Sequence, residues 1–332
     1  EKLSPASVTK VMTLLLIMEA VDSGKISWND TVTASETAAA KGGSQVYLKE
    51  GEILTVQELL YGLMLRGGND AALAIARNVS GSVENFAYLM NKKAKEIGME
   101  NTCFKNPSGL TEDGHFSTAF DMAVLGSYAI KNKQFSEICS LTSFRATYGN
   151  PDYQRTFRNH NKLLSSVEGT FGIKTGFTKS SGRCLVSAAE RDGVTLVAVT
   201  LSAPDDWNDH KKLFQYGFER VKAYNVDFNA NEIKIDVVGS DNNSIGVKLK
   251  TPLTYTALSE ENSPEIVVFC DKFLYSGVEK GDRVGFVRVY SDNGMLLCET
   301  DLISKANAPM NFTEKENEMS FFEKIKEILN YR

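Results

Sequence analysis

The fold of this chain is decided by a stretch close to its start, Ser7-Val8-Thr9-Lys10, which opens a long apolar segment. Residues 8–22 have the pattern of a helix in which few polar side chains interrupt the apolar ones: Thr9, Lys10, Thr13 and Glu19. A helix with so few polar positions is buried on most of its sides. Burial removes water from the Lys10 ammonium group, and we therefore expect its pKa to be lowered.

Ser7 and Lys10 lie three positions apart, so on a helix their side chains share one face. A neutral amine beside a hydroxyl can act as its general base. The positive end of the helix dipole and the nearby N–H groups favour an oxyanion beside Ser7. The pattern predicts a serine nucleophile that needs no histidine. The alternative is an ordinary serine cap with a lysine in the first turn, although this is the one Ser-x-x-Lys in the chain.

A second polar cluster, Lys174-Thr175-Gly176, follows Gly172-Ile173 and precedes the β-prone region Cys184–Leu201. At the end of a strand it would place a cation, a hydroxyl and a bare backbone at one sheet edge. Lysine and threonine there could hold a carboxylate. Glycine would leave room for a ligand to lie along the edge as an added strand. The alternative is a polar turn that ends a strand.

A third cluster, Arg66-Gly67-Gly68-Asn69-Asp70, interrupts a helical region over residues 55–79. Asn69 could direct its amide towards a bound peptide backbone and towards Lys10. The alternative is an asparagine that serves only as a turn or a helix cap.

The remaining pattern predicts two domains, which suits a chain of 332 residues. Helical spacing recurs over residues 82–97, 121–130 and 205–221, and a hairpin is expected between Leu185–Ala189 and Val194–Leu201. Short strand patterns follow Lys222–Phe228, the expected linker: Glu232–Val238, Ser244–Lys250, Ile266–Phe269, Arg283–Tyr290 and Met295–Leu302. Residues 228–312 are therefore predicted to form a small β-sandwich.

Residues 313–332 begin with a charged linker and continue with apolar side chains at helical spacing. This amphipathic helix could pack on the β domain or lie at a membrane surface. A net charge of −5 argues against general binding to nucleic acid. Apolar runs such as Leu14 to Met18 are too short to span a bilayer.

In order along the chain, the three clusters resemble the Ser-x-x-Lys, Ser-x-Asn and Lys-Thr-Gly motifs of penicillin-binding proteins and class A β-lactamases. Flanking segments resemble those of D-alanyl-D-alanine carboxypeptidases: Lys2-Leu3-Ser4-Pro5-Ala6-Ser7, Asn69-Asp70-Ala71-Ala72, Phe104-Lys105-Asn106-Pro107-Ser108-Gly109-Leu110, Gly114-His115-Phe116-Ser117-Thr118-Ala119 and Gly172-Ile173-Lys174-Thr175-Gly176. The resemblance covers residues 1 to about 221.

The resemblance implies a fold of the α/β (α+β) class, a serine β-lactamase/transpeptidase-like catalytic domain over residues 1–222. This domain would combine an antiparallel sheet with a helical cluster and would be followed by a small all-β domain. It also implies a β-hairpin ahead of the first helix, for which the sequence before Ser7 leaves no room. We expect an exported enzyme at the outer face of the bacterial cytoplasmic membrane or in the cell wall.

The activity implied is removal of the terminal D-alanine from peptidoglycan stem peptides that end in D-Ala-D-Ala. Ser7 would attack the carbonyl between the two D-alanines, and Lys10 would accept the hydroxyl proton. The backbone N–H groups of Ser7 and Phe177 would form the oxyanion hole, while Lys174 and Thr175 would hold the terminal carboxylate. Water would then hydrolyse the acyl-enzyme. β-Lactam antibiotics would acylate the same serine, and neither a metal nor an organic cofactor is implied.

Gly67 departs from the family pattern, because the first serine of Ser-x-Asn aligns with it. That hydroxyl would relay a proton, and a water could take its place. Gly67 and Gly68 are themselves candidate substrate-binding residues. Loss of the relay gives the alternative of a catalytically impaired penicillin-binding or cell-wall-binding module. Phe177 stands where several relatives carry a polar residue. His160 lies where some relatives place a basic residue near the substrate carboxylate, or it is a surface-loop histidine.

A β-lactamase is the third function considered. Such an enzyme needs a carboxylate that positions a deacylating water, and no convincing Glu-x-x-x-Asn element is found between residues 120 and 174.

Overall fold

The structure is a computed structural model that describes residues 1–149, 152–258 and 264–311. The chain divides into two compact units, Glu1–Arg220 and Val221–Arg332. The predicted linker and amphipathic helix of residues 313–332 lie outside the described residues. Among the residues described, no helix is both long enough and apolar enough to cross a bilayer.

The first unit is built mainly of helices, which we number in chain order. They are α1 (Lys10–Asp22), α2 (Glu36–Ala39), α3 (Val56–Tyr61), α4 (Asn69–Ser80), α5 (Val83–Glu96), α6 (Ala119–Ala129), α7 (Lys133–Ser140) and α8 (Asp206–Arg220). A short 3-10 turn at Ala6–Thr9 precedes α1, and a second one at Lys162–Ser165 lies between α7 and α8 in the chain. A π-helical turn at Gly62–Arg66 separates α3 from α4.

Polar caps explain where several of these helices begin. Thr55, Ser82, Thr118 and Asn132 each accept a hydrogen bond from the backbone N–H three residues later. Such bonds satisfy donors that the first helical turn leaves without a partner. Thr55 and Glu58 complete a reciprocal capping box at the start of α3. The break at Gly67 has a φ of 76°, a left-handed conformation that favours glycine.

Helix α1 lies at the centre of the main core, as its sequence predicts. Nine of its residues are buried, including the polar Lys10 and Thr13. The core around it collects apolar side chains from α3, α4, α5, α6 and α7 and from the sheet. The first turn of α1 is therefore fixed by packing from several directions.

The described part of the first unit also contains three antiparallel sheets. The largest has the order β5-β6-β7, formed by Thr170–Thr178, Gly182–Arg191 and Val194–Thr200. Two further pairs are β1 (Thr31–Thr33) with β2 (Ile53–Thr55) and β3 (Ser143–Gly149) with β4 (Asp152–Arg158). Strand β5 lies at one edge of its sheet and contains the Lys174-Thr175-Gly176 cluster, which was predicted to end a strand, whereas β5 continues to Thr178. The 3-10 turn that carries Ser7 packs against this strand.

The second unit contains only strands and one short 3-10 turn, Ala230–Glu232, among its described residues. Its six-stranded sheet has the order β12-β14-β15-β10-β9-β13, where β9 pairs with β13 in parallel and the other pairs are antiparallel. These strands are β9 (Lys234–Val238), β10 (Ser244–Leu249), β12 (Glu265–Cys270), β13 (Phe273–Tyr275), β14 (Arg283–Tyr290) and β15 (Leu296–Ser304). A separate pair joins β8 (Lys222–Asn225) to β11 (Thr254–Ala257).

The predicted fold class, an α+β unit with an antiparallel sheet followed by an all-β unit, is confirmed. The five predicted helical regions and the five predicted strands of the second unit form close to their predicted positions, while β8, β11 and β13 were not predicted. The β3–β4 hairpin was not predicted, because strand β4 is exposed at most positions and lacks an apolar alternation. The expected linker, Lys222–Phe228, contains strand β8.

Gly109 is the position at which the fold of the first unit tolerates a side chain least. Its φ is 79°, and a Cβ atom there would lie 1.8 Å from the carbonyl oxygen of Ala6 and 2.8 Å from Thr9 Oγ1. We expect Gly109→Ala to lower the free energy of unfolding by more than ~3 kcal/mol, because the Ser7 turn must move away.

Gly81 provides the matched control. Its φ is 81°, but nothing lies within 4 Å of the Cβ position, so Gly81→Ala should cost only the left-handed strain of about 1–2 kcal/mol. Urea denaturation of both variants measures the difference. Equal losses for the two variants would show that the contact with the Ser7 turn is not the constraint.

Candidate active site

The predicted site residues converge on one cleft of about 280 Å³ in the first unit. Seven residues of its lining were predicted site residues: Ser7, Gly67, His160, Lys174, Thr175, Gly176 and Phe177. Five others had no predicted role, although Arg66 belongs to the third polar cluster: Ser44, Arg66, Arg183, Asp206 and Trp207. Lys10, Gly68 and Asn69 are buried behind this wall. A larger cavity of about 680 Å³, lined by residues such as Phe171 and Val197, contains none of the predicted site residues.

Ser7 lies in the 3-10 turn Ala6–Thr9, one turn ahead of α1, and is partly exposed to the cleft. The turn packs tightly on strand β5. A Cβ atom at Gly176 would lie 3.0 Å from the backbone nitrogen of Ser7 and 3.1 Å from that of Val8. The space that the glycine leaves is thus taken by the nucleophile's own backbone, rather than by the ligand for which the sequence suggested it.

The Lys10 amine is the centre of the site. Its Nζ atom lies 2.9 Å from Ser7 Oγ, 2.8 Å from Asn69 Oδ1 and 2.6 Å from the carbonyl oxygen of Ser108. The amide and backbone oxygens can only accept hydrogen bonds. A neutral amine has two N–H groups for these two acceptors, and its lone pair is then left for the Ser7 hydroxyl proton.

The protonation of Lys10 is set by its surroundings. Its side chain is fully buried. Loss of hydration is the main cause that holds the Lys10 pKa well below its usual value, and the charge of Lys174 lowers it further, against a smaller opposing effect of Asp70. Burial therefore favours the neutral amine that a general base requires.

Asn69 is held in the orientation that serves Lys10. Its Nδ2 donates to the carbonyl oxygen of Gly42 at 2.8 Å, which leaves Oδ1 for Lys10. Its backbone N–H donates to the carbonyl oxygen of Ser44, also at 2.8 Å. Asp70 accepts from the backbone N–H groups of Val46 and Leu48. The first turn of α4 thus anchors the 42–48 segment to the site.

The back wall of the Lys10 site is a turn whose role the sequence did not predict. Asn106 Oδ1 accepts from the backbone N–H groups of Ser108 and Gly109 and from the Ser108 hydroxyl. Thr13 Oγ1 donates to the carbonyl oxygen of Pro107 at 2.7 Å. These bonds direct the Ser108 carbonyl at Lys10. Spacing alone gives no signal for a backbone carbonyl.

His115 supports the same region and does not line the cleft. Its Nδ1 accepts from the Lys105 backbone N–H at 3.1 Å, so Nε2 carries the proton and donates to Thr9 Oγ1 at 2.9 Å. Burial lowers the His115 pKa to about 4. The imidazole is thus a neutral structural group beside α1.

The rim of the cleft is rich in cations. Lys174 is buried, and loss of hydration lowers its pKa to about 8, so it is mostly charged at neutral pH. Arg66 and Arg183 also line the cleft, where Asp206 is the one carboxylate among the lining residues. Asp206 binds Arg183, with Oδ1 at 2.7 Å from Nη2 and 3.0 Å from Nε. The remaining positive charge favours an anionic ligand.

His160 and Phe177 lie at the opening. His160 lines the cleft, with Nε2 3.3 Å from Arg66 Nη1. Burial is the main cause that lowers its pKa, and the charges of Lys174 and Arg66 add to it. Phe177 is 65% exposed and pairs in register with Arg183 on β6. The pairing of Arg183 with Phe177 across the two strands is the feature from which Arg183 could have been placed at the site.

Gly67 and Gly68 differ in the room they leave. A Cβ atom at Gly67 would lie 3.4 Å from Lys174 Nζ, an ordinary contact, whereas one at Gly68 would lie 2.9 Å from Asp70 Oδ1 and 3.0 Å from Val46 Cγ1. Gly68 therefore permits close packing between the 42–48 segment and α4. Gly67 leaves room for a small side chain at the cleft wall, between Lys174 and Ser44.

Comparison with known proteins identifies the family to which this chain is similar. Residues 1–205 match the profile of the D-alanyl-D-alanine carboxypeptidases, peptidase family S11. The D-alanyl-D-alanine carboxypeptidase DacF of Bacillus subtilis is 36% identical over 316 residues, which cover 92% of this chain and 79% of that protein.

Solved structures give the same assignment over nearly the whole chain. Penicillin binding protein 5 of Haemophilus influenzae has a TM-score of 0.67 and 29% identity, over 93% of this chain and 91% of that one. The D-alanyl-D-alanine carboxypeptidase DacD of Francisella tularensis has a TM-score of 0.63 and 26% identity, over 94% and 89%. Together with the profile match, these similarities show that the chain belongs to the D-alanyl-D-alanine carboxypeptidase family of serine peptidases.

Proposed function

We propose that the protein removes the terminal D-alanine from peptidoglycan stem peptides that end in D-Ala-D-Ala, through an acyl-enzyme on Ser7. The observation that carries this proposal is the fully buried Lys10 amine 2.9 Å from Ser7 Oγ, with two acceptor oxygens on its other sides. A neutral amine held in this way takes the hydroxyl proton as Ser7 attacks a carbonyl.

The cleft supports a substrate with a free carboxylate next to the scissile bond. Lys174 and Thr175 lie on strand β5, close to the turn that carries Ser7. The excess of cationic groups along the lining would attract the terminal carboxylate and fix its distance from the nucleophile. The backbone N–H groups of Ser7 and Phe177 are the proposed oxyanion hole. β-Lactams, which also carry a carboxylate beside a strained amide, would acylate the same serine.

A second candidate function is a penicillin-binding module with impaired turnover. Gly67 favours it, because the cleft wall beside Lys174 has no side chain where the family has a serine. The two functions differ in turnover and not in the first acylation step.

Benzylpenicillin is expected to add one β-lactam mass to the peptide that contains Ser7, as read by mass spectrometry after digestion. Lys10→Met keeps a long apolar side chain and removes the base, so it should slow acylation by about 10²–10⁴-fold. Ser7→Ala should form no adduct, and Ser23→Ala, at the far end of α1, serves as the control. An adduct on a different residue would contradict the assignment of the nucleophile.

Release of D-alanine from a D-Ala-D-Ala pentapeptide separates the two candidate functions. If the protein is a working carboxypeptidase, Gly67→Ser should change kcat/KM by no more than about threefold. Gly67→Ala is the matched control, since it pays the same left-handed backbone strain without a hydroxyl. A gain of about 100-fold specific to the serine variant would support the impaired module instead.

The rate of acylation should depend on pH through both lysines. Lys10 must be neutral, so acylation is retained above its lowered pKa and lost as the pH falls through it. Lys174 must be charged, so binding of a carboxylate ligand is lost as the pH rises through about 8. Stopped-flow acylation with a chromogenic β-lactam should give a bell-shaped profile.

The two limbs of this profile can be assigned by removing one charge. Lys174→Gln should abolish the limb near pH 8, and it should move the acidic limb to higher pH, because the charge of Lys174 no longer lowers the Lys10 pKa. An alkaline limb that persists in Lys174→Gln would show that another group titrates there.

A further inference from the structure

Cleavage of the peptide bond leaves one chemical need that Ser7 and Lys10 do not meet. The departing D-alanine nitrogen must gain a proton, because an amide anion is a very poor leaving group. Lys10 holds the proton of Ser7 but is enclosed by Ser7, Asn69 and the Ser108 carbonyl. The donor to the leaving nitrogen must therefore come from the cleft lining.

The lining offers few groups for this task. Arg66 and Arg183 do not lose protons in proteins. Thr175 is assigned to the substrate carboxylate. The Arg66 guanidinium can only donate hydrogen bonds, so His160 Nε2 accepts from it and carries no proton to give. Gly67 has no side chain. Ser44 is the remaining hydroxyl of the lining that has no other assigned role.

Ser44 lies next to the space that Gly67 leaves open. A Cβ atom at Gly67 would be 3.4 Å from Lys174 Nζ and 3.9 Å from Ser44 Cβ. The Ser44 side chain and the Lys174 ammonium thus border the same gap in the wall. The Ser44 hydroxyl is exposed, and none of the described residues forms a hydrogen bond with it.

The backbone around Ser44 is held in place on both sides. Its carbonyl oxygen accepts from the Asn69 N–H at 2.8 Å, and the Gly42 carbonyl accepts from Asn69 Nδ2 at 2.8 Å. Two residues further on, the Val46 N–H is bound by Asp70. The same asparagine that orients Lys10 therefore fixes the backbone of Ser44 at the cleft wall.

We propose that the Ser44 hydroxyl fills the space left by Gly67 and carries a proton between Lys174 and the leaving nitrogen. This assignment rests on the proposed function and names a further catalytic residue for it. It also explains how the cleft can work without a side chain at position 67.

The protons balance over the full cycle. In acylation, Lys10 takes the Ser7 proton as the Ser7 oxygen bonds to the carbonyl carbon. The carbon–nitrogen bond breaks while Ser44 gives its proton to the departing nitrogen and receives one from the Lys174 ammonium. In deacylation, water bonds to the acyl carbon and its proton passes through Ser44 to the neutral Lys174 amine. Lys10 returns its proton to the Ser7 oxygen as the ester bond breaks.

A pair of isosteric variants tests this role. Ser44→Thr keeps a hydroxyl and Ser44→Val does not, while the two side chains have nearly the same shape. Acylation by a β-lactam and release of D-alanine are measured for each variant, alone and together with Gly67→Ser. We expect Ser44→Val to lower both rates by about 100-fold and Ser44→Thr to stay within about fivefold.

The Gly67→Ser variants carry a second hydroxyl next to Ser44 and Lys174. In these variants the loss caused by Ser44→Val should shrink to within about threefold, a coupling that a merely structural role would not produce. Equal rates for Ser44→Val and the unmodified protein would overturn the proposal. Equal losses for threonine and valine, or an undiminished loss beside Gly67→Ser, would also overturn it and assign Ser44 to segment positioning.

The unmodified protein distinguishes this failure from failure of the proposed function. If it forms no adduct on Ser7 and releases no D-alanine, the carboxypeptidase assignment fails, and the role of Ser44 fails with it. If it is active and Ser44→Val is equally active, only the Ser44 assignment fails.

Discussion

A single buried amine is the constraint on which the first unit of this protein depends. An uncompensated charge in the core would cost several kcal/mol, and a neutral amine still needs partners for its N–H groups. The fold meets this need with oxygens from Asn69 and Ser108, which lie 59 and 98 positions away along the chain. The polar group that is hardest to bury therefore brings three distant segments together at one point.

Each of these segments is in turn fixed by groups that never reach the cleft. Asn106 orders the turn that presents the Ser108 carbonyl, and Thr13 ties that turn to α1. Asp70 holds the 42–48 segment, which precedes α4 in the chain. Supporting contacts of this kind set the accuracy of a catalytic geometry, because a site that is loose by 1 Å loses much of its rate.

The sequence allowed much of this to be predicted, for physical reasons that differ between elements. Helix α1 was predicted because most of its positions are apolar. The hairpin β6–β7 was predicted because its turn lies between two β-prone runs. Ser7, Lys10, Asn69 and Lys174 came from motifs whose order was matched to a family. The β3–β4 hairpin was not predicted because strand β4 is exposed at most positions.

The sequence could not show which residues, distant along the chain, lie close together in the fold. Ser44 stands among small polar residues that suggest an ordinary loop, and the Ser108 carbonyl has no side-chain signature at all. Their positions depend on backbone bonds to Asn69 and on the left-handed Gly109, which only the folded chain reveals. Gly176 could be recognised as necessary, but the reason assigned to it changed once the Ser7 backbone was found in its space.

The central position of α1 has a consequence for the dynamics of the enzyme. Local opening of a helix enclosed by core side chains costs nearly as much free energy as unfolding the unit, so its buried amide protons should exchange with solvent mainly through global unfolding. Ser7 and Lys10 therefore share the lifetime of the native core, unlike catalytic groups carried on surface loops. Molecules that keep the first unit compact should therefore keep Ser7 beside Lys10. We expect no partly active intermediate during unfolding of this unit.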